Sequence, residues 1–107
     1  MASFEKSKIY KLKSSVDYSE GSIVSKIVEK NDAGSVTLFS FAEGQFLSEH
    51  TAPFDALIQI VEGTAKITID KLSHTLKEGE IIIMPADVPH AVDAPGNFKM
   101  LLTMIKT

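Results

Sequence analysis

Several residue types are missing from this 107-residue chain, and each absence narrows what the protein can do. It has no cysteine, which excludes disulfide bonds, thiolate metal ligands and thiol catalysis. It has no arginine either, because all 11 basic residues are lysines, so the bidentate clamps that arginine forms on phosphates and dicarboxylates are missing. A phosphorylated or diacid ligand is therefore disfavoured, although lysines or backbone N–H groups can substitute for arginine in such a role.

The sequence also lacks the features that a protein needs for several common kinds of partner and reaction. A net charge of -3 gives no basic surface for nucleic acid. No apolar run approaches the roughly 20 residues that span a bilayer, and residues 1–6 lack the apolar stretch of a signal peptide. Neither a serine nucleophile elbow, a glycine-rich phosphate loop nor a His-Glu-x-x-His motif occurs. We therefore expect a cytoplasmic protein that contacts neither membrane nor nucleic acid.

What the chain does contain is a series of short apolar segments separated by turn residues, which is typical of all-β domains. We expect residues 1–22 to form an N-terminal arm and residues 23–107 to form a single antiparallel β-barrel. Turns are predicted at Gly63 and Gly79, and no segment is predicted to be helical. The predicted strands are Ile23–Glu29, Val36–Ala42, Phe46–His50, Ala56–Val61, Ala65–Asp70, Ser73–Leu76, Ile81–Met84, His90–Ala94 and Phe98–Ile105.

Some of these strands are apolar on both faces rather than alternating. Residues 56–58, 81–84 and 100–105 show this pattern, and a strand that is apolar on both faces is covered on both faces. The outer cover has two candidate sources, a second subunit or the chain's own N-terminal arm. Because two-fold dimers dominate among oligomers, we expect a homodimer, with the arm as a candidate for pairing with the second subunit.

Two of the three histidines lie in segments with a regular spacing of glycine and proline. The first segment covers residues 44–63 and contains His50, and the second covers residues 79–94 and contains His90. Each segment is bounded by turn residues and includes a predicted strand. We therefore expect His50 and His90 to lie on strands that face each other across a small barrel.

These two segments resemble the two motifs of the cupin superfamily, in particular its small single-domain members of the conserved-barrel (cupin 2) type. The first cupin motif is Gly, five residues, His-x-His, three or four residues, Glu, six residues and Gly. The second is Gly, five residues, Pro-x-Gly, two residues, His, three residues and Asn. The resemblance covers residues 36–105 and implies a double-stranded β-helix, or jelly roll. At the motif positions this chain has Gly44, His50, Ala52, Ala56 and Gly63, then Gly79, Pro85, Asp87, His90 and Ala94.

In cupins with complete motifs, three histidines and a glutamate bind a divalent metal. The resemblance thus implies His50 and His90 as ligands for iron, manganese, nickel or zinc, whereas Ala52 and Ala56 replace the other two ligands. Two histidines alone make a poor site, because catalytic zinc takes three protein ligands and non-haem iron takes two histidines with a carboxylate. Asp55 neighbours the lost glutamate position, but side chains alternate along a strand, so only a bulge would turn it inward.

The histidine pair also predicts a ligand pocket, because two imidazoles among apolar side chains form the kind of polar spot found in small-molecule sites. The two alanines are expected to leave space for a ligand unless neighbouring Phe, Met or Ile side chains fill it. Alternation along the strands assigns further residues to the interior. The predicted pocket is lined by His50, His90, Phe46, Ser48, Ala52, Ala56, Ile58 and Val92, while His74 is expected at the surface.

The residues leave three functions open. The first is a small-molecule-binding protein with a mostly apolar pocket and a degenerate metal site. The second is a divalent-metal-dependent enzyme of the dioxygenase, isomerase or decarboxylase type. The third is a metal-free acid–base enzyme that uses His50 or His90. Folds of this kind host many activities, so the residues favour the first function without naming its ligand.

Overall fold

The computed structural model describes residues 4–106, which form β-strands in antiparallel pairs and one short 3-10 helix at Leu12–Ser14. All of the predicted strands are present, and they differ from the prediction only at their ends. The first strand continues to Asn31, which pairs with Gly34 and so closes a two-residue turn. The strands are β1 (Ile23–Asn31), β2 (Gly34–Phe41), β3 (Phe46–His50), β4 (Asp55–Glu62), β5 (Thr64–Ile69), β6 (Leu72–Lys77), β7 (Ile81–Met84), β8 (His90–Asp93) and β9 (Phe98–Ile105).

The strands form two sheets that enclose the hydrophobic core. One sheet has the order β1-β2-β9-β4-β7, and the other has the order β3-β8-β5-β6. Gly63 and Gly79 lie in the turns between β4 and β5 and between β6 and β7, with φ angles of 80° and 88°. Only glycine fits at position 63, because a Cβ atom there would lie 2.4 Å from the carbonyl oxygen of Asn97. The expected antiparallel β-barrel is confirmed.

The core between the sheets follows from the alternation of apolar residues along the strands. In β4, Ala56, Ile58 and Ile60 are buried and point inward, while the residues between them point to the outer face. Phe41 of β2 and Phe98 of β9 are fully buried and stack with ring centroids 4.6 Å apart. Aromatic stacking of this kind adds about 0.5–1.5 kcal/mol to the stabilisation from burial.

The N-terminal segment, residues 4–22, packs against the outer face of the five-stranded sheet. Val16 is 1% exposed and forms a second apolar cluster with Leu38 of β2 and Val61 of β4. The chain's own arm therefore covers part of this face, which is one of the two sources that the sequence left open. Ile81 and Ile83 on the edge strand β7 stay 58% and 57% exposed. None of the helices among the described residues has the length and apolar character needed to cross a membrane.

Candidate functional site

His90 is the buried member of the histidine pair. It is the first residue of β8, is 5% exposed and faces the interior together with Val92, two residues further along the strand. Its Nδ1 atom lies 3.1 Å from the carbonyl oxygen of Val88. A carbonyl oxygen can only accept a hydrogen bond, so Nδ1 carries a proton and donates it. The Nε2 atom of His90 is thereby left for a second partner.

His50 is the exposed member of the pair and ends β3. Its Nδ1 atom donates to the carbonyl oxygen of Ser48 at 2.8 Å. The Nε2 atoms of His50 and His90 lie 3.1 Å apart, with the ring centroids separated by 4.4 Å and the ring planes at 71°. The structure thus brings the two histidines together, but not across the barrel as expected: they are register partners on the neighbouring strands β3 and β8.

A β-bulge in β3 determines which of its side chains face inward. Leu47 pairs with Val92 and His50 pairs with His90, so three residue steps on β3 match two on β8. Leu47 therefore packs against the core, whereas Phe46 is 60% exposed and Ser48 is also exposed. The inward orientation predicted for Phe46 and Ser48 is wrong, because the extra residue between Leu47 and His50 interrupts the alternation on which it rested.

The space next to Ala56, the second of the two alanines at the motif positions, is occupied by methionines. Ala56, Ile58 and Val92 are all 3% exposed or less and belong to the core cluster. Met84 of β7 and Met104 of β9 flank Ala56 in register and pack against the same cluster. Of the two outcomes that the sequence left open, filling by neighbouring side chains is the one observed, and the flexible methionine side chain suits that task.

Two loops meet at the end of the barrel where the histidines lie. The carbonyl oxygen of Ala52, in the loop after β3, accepts a hydrogen bond from the Asp87 N–H at 2.7 Å. The Oδ1 atom of Asp55 accepts another from the Ala86 N–H at 2.8 Å. Asp87 has a φ of 63°, the left-handed conformation that explains why the corresponding motif position prefers glycine. These bonds tie the loop after β3 to the loop after β7.

The environment of His90 opposes a positive charge on its ring. Burial is the largest cause that lowers the pKa of His90 below 6.5, and the nearby His50 lowers it further, while the hydrogen bond to the Val88 carbonyl acts in the opposite direction. His90 is thus held neutral near pH 7. A neutral imidazole with a proton on Nδ1 accepts hydrogen bonds or a proton through Nε2.

The donor set at the pair does not fit a resident divalent metal. Among the residues that the structure describes, no group of three or more His, Cys, Asp or Glu side chains is placed to hold a metal ion. Asp55 and Glu49, the carboxylates nearest in sequence to His50, are both exposed, and Asp55 binds the backbone of the adjacent loop. His50 and His90 supply two imidazoles, whereas catalytic zinc and iron sites take at least three protein ligands.

A second polar cluster, which the sequence did not suggest, lies under the N-terminal segment. Lys99 of β9 is 7% exposed, and its Nζ atom lies 3.3 Å from Oε1 of Glu62 and donates to the carbonyl oxygen of Lys13. The same Nζ atom lies 4.8 Å from the centre of the Tyr18 ring, and the Tyr18 hydroxyl donates to Glu62 at 3.2 Å. The one sequence signal is a lysine between Phe98 and Met100 in an otherwise apolar run.

Neither histidine of the pair lines any of three surface cavities that described residues form. The largest of the three has a volume of about 670 Å³ and is lined by residues such as Tyr18, Glu43 and Asn97. The other two lie beside Gly34 and beside Phe54. The exposed side chain of His50 gives access to the pair from solvent at the mouth of the barrel.

Comparison with known proteins agrees with this architecture. The family model of the cupin domain matches residues 37–106, which include both histidines and eight of the strands in full or in part. The chain belongs to the cupin family. No curated protein matches this cupin.

Similar solved structures extend over the whole barrel. A conserved protein of unknown function from Streptococcus pyogenes is 34% identical, with 100% of this chain and 96% of that chain covered and a TM-score of 0.91. A cupin superfamily protein from Desulfitobacterium hafniense is 29% identical, with 99% and 97% covered and a TM-score of 0.91. A cupin 2 conserved barrel domain protein from Leptotrichia buccalis is 40% identical with a TM-score of 0.88, and 91% of this chain covers 47% of that one.

Proposed function

We propose that this cupin binds a small molecule at the mouth of the barrel, with the His50–His90 pair as the polar recognition point. The observation that carries the proposal is the convergence of the two Nε2 atoms, 3.1 Å apart, with each Nδ1 atom held by a backbone carbonyl. A ring that is fixed at one nitrogen presents the other in a defined direction. Small-molecule sites commonly combine a few fixed polar groups of this kind with apolar walls.

The exposure of the pair supports binding at the mouth. His50 is exposed and His90 is 5% exposed, so a ligand that contacts His50 from solvent has His90 directly behind it. The side chains further inside, Ala56, Ile58 and Val92, are apolar and belong to the closely packed core. The ligand therefore binds with one polar group directed at the imidazoles and with an apolar part that stays near the rim or displaces flexible side chains.

The rival function, a dioxygenase, isomerase or decarboxylase dependent on iron, manganese, nickel or zinc, has less support. It requires a third protein ligand at the pair, and the described residues offer only the two imidazoles there. The metal-free acid–base enzyme uses the same two side chains as the binding proposal. A bound molecule that is chemically changed on incubation with the protein would identify that alternative.

A fragment screen observed through the histidine ring signals tests the proposal. Fragments that perturb the rings of His50 and His90 are expected, and His50→Gln or His90→Gln should weaken their binding at least tenfold, which corresponds to the loss of about 1.4 kcal/mol. His74→Gln is the matched control, because His74 is exposed on β6. Fragments that bind with full affinity to the double variant, or perturb only distant signals, would contradict the proposal.

A homodimer is part of the proposal, and the exposed isoleucines of β7 support it. Ile81 and Ile83 extend from the edge of the five-stranded sheet, beyond the area that the N-terminal segment covers. Sedimentation at micromolar concentration should give twice the monomer mass of 11.7 kDa. Ile83→Lys should lower that mass, whereas Leu72→Lys, at a 69% exposed residue of the other sheet, should leave it unchanged. A cytoplasmic location remains a prediction from the sequence.

A further inference from the structure

The loop between β7 and β8, residues 85–89, contains the carbonyl group that holds His90. The Val88 carbonyl oxygen accepts the hydrogen bond from the Nδ1 atom of His90 at 3.1 Å. In a histidine, the hydrogen bond at one ring nitrogen fixes the tautomer and the direction in which the other nitrogen points. The placement of the His90 Nε2 atom 3.1 Å from that of His50 therefore depends on where this loop holds the Val88 carbonyl.

Asp55 fixes this loop at the point where the pairing of β4 with β7 ends. The last register pair is Ala56 with Met84. The residue that follows Met84 is Pro85, which has no N–H with which to continue the ladder. The Asp55 side chain takes over, because its Oδ1 atom accepts a hydrogen bond from the Ala86 N–H at 2.8 Å. The start of the loop is thus tied to β4 by a side chain.

Other bonds hold the same loop through backbone groups. The Asp87 N–H donates to the carbonyl oxygen of Ala52 at 2.7 Å, and the Pro89 carbonyl oxygen accepts from the Asp70 N–H at 2.8 Å. Replacing a side chain leaves the donors and acceptors of such bonds in place. The carboxylate of Asp55 is therefore a tie that a substitution can remove. Because Asp55 is exposed, its removal leaves no cavity in the core.

We propose that Asp55 is a positioning residue for the histidine pair. Its carboxylate holds residues 85–89 where the Val88 carbonyl meets the Nδ1 atom of His90, and the fixed ring then presents its Nε2 atom beside that of His50. Functional side chains keep their geometry when hydrogen bonds behind them lock their orientation. This role needs a hydrogen-bond acceptor at the Oδ1 position of Asp55 and does not need its negative charge. The inference rests on the proposed function only for its consequence, a loss of ligand affinity without Asp55.

Nuclear magnetic resonance of the full-length protein with isotope-labelled histidine tests this role without any ligand. Asp55→Ala should mix the two tautomers of His90 and exchange its Nδ1 proton with solvent roughly tenfold faster, because the loop opens more often. Asp55→Asn should keep the wild-type signals, since its amide oxygen still accepts from Ala86. Glu49→Ala, which removes an exposed carboxylate next to His50 in the sequence, is the matched control and should change neither property. If Asp55→Ala does not fold, Asp55→Glu replaces it, because the longer side chain displaces the acceptor.

The outcomes separate this role from the proposed function. Fragments that bind at the pair should bind roughly threefold more weakly to Asp55→Ala than to Asp55→Asn, because the freed ring must be ordered again on binding. Unchanged tautomer and proton exchange in Asp55→Ala would overturn the positioning role, and so would an Asp55→Asn variant that behaves like Asp55→Ala. Neither result would affect the proposed function. Altered ring signals in a protein that binds no fragment at the pair would support the positioning role and contradict the proposed function.

Discussion

The protein contains two clusters of partly buried ionisable side chains, and they are built in opposite ways. In the Lys99 cluster the ammonium has a carboxylate, a backbone carbonyl and an aromatic ring as partners, and the N-terminal segment covers it. In the His50–His90 pair one ring is buried, the other is exposed, and among residues 4–106 the two Nε2 atoms have only each other as partners. The first cluster is closed to further partners, whereas the second can accept one.

The difference shows how to separate structural from functional polar groups in a small barrel. A buried charge is costly unless its partners are complete, and complete partners leave nothing for a ligand. Lys99 therefore holds the N-terminal segment to the barrel, since it binds a carbonyl of that segment and packs on Tyr18. The histidines can exchange their mutual bond for a bond to a ligand with little rearrangement.

Breaking the closed cluster should have the largest effect on stability. Lys99→Met removes the cation from Glu62 and the donor from the Lys13 carbonyl. We expect the free energy of unfolding to fall by about 1.5–3 kcal/mol, the range for hydrogen bonds that involve a charged group. Urea denaturation measures this, with Lys66→Met at an exposed position as the control. Fragment binding at the histidines should persist, and equal stability of the two variants would refute the structural role.

Titration to high pH probes the Lys99 cluster through the phenol of Tyr18. Burial raises the pKa of Tyr18 from 10.0 to about 12, and the negative charge of Glu62 and the hydrogen bond to it add to the increase. The folded state thus keeps its phenolic proton where the unfolded chain loses it, so this contribution to stability is present below pH 10 and disappears as the pH rises towards 12. In Tyr10→Phe the tyrosinate absorbance should have its midpoint near 12, and a midpoint near 10 would contradict this environment.

Acid titration probes the histidine pair instead. Because the pKa of His90 in the folded state is lower than 6.5, the unfolded chain binds more protons around that pH. The free energy of unfolding should therefore be constant above neutral pH and decrease as the pH falls below 6.5 through the folded-state pKa. The decrease should be smaller in His90→Gln than in the wild type. Identical pH profiles for the two proteins would show that the proton-linked group is elsewhere.

The smallest expected effect concerns the loop that borders the pair. Asp87 has a φ of 63°, a left-handed conformation that costs a residue with a side chain about 1 kcal/mol relative to glycine. Asp87→Gly should therefore stabilise the protein by up to about 1 kcal/mol, less the added entropy of the unfolded chain. Asp93→Gly, within β8, should destabilise it instead. Thermal unfolding compares the two variants, and destabilisation by both would argue against strain at Asp87.

The sequence predicted the fold well because strand alternation and turn residues are local signals. The strands and the turns at Gly63 and Gly79 follow from spacing along the chain, whereas the proximity of His50 and His90 was implied by the resemblance of their segments to the two cupin motifs. The orientation of Phe46 and Ser48 could not be predicted from spacing, because the bulge between Leu47 and His50 arises from pairing with β8, which is far away in the sequence. The partners of Lys99 come from residues 13, 18 and 62, so no local pattern reveals them.

The bulge in β3 also shows that the site depends on a count of residues as much as on their identity. Three residue steps separate Leu47 from His50, so regular pairing without the bulge would leave both histidines and every motif glycine in place, yet His50 would then project from the opposite face of the strand. An alignment that scores only identities would still report an intact pair. When related chains are compared, the spacing from the inward leucine to the first histidine, taken together with the bulge that an odd spacing requires, is therefore the better criterion for a shared site.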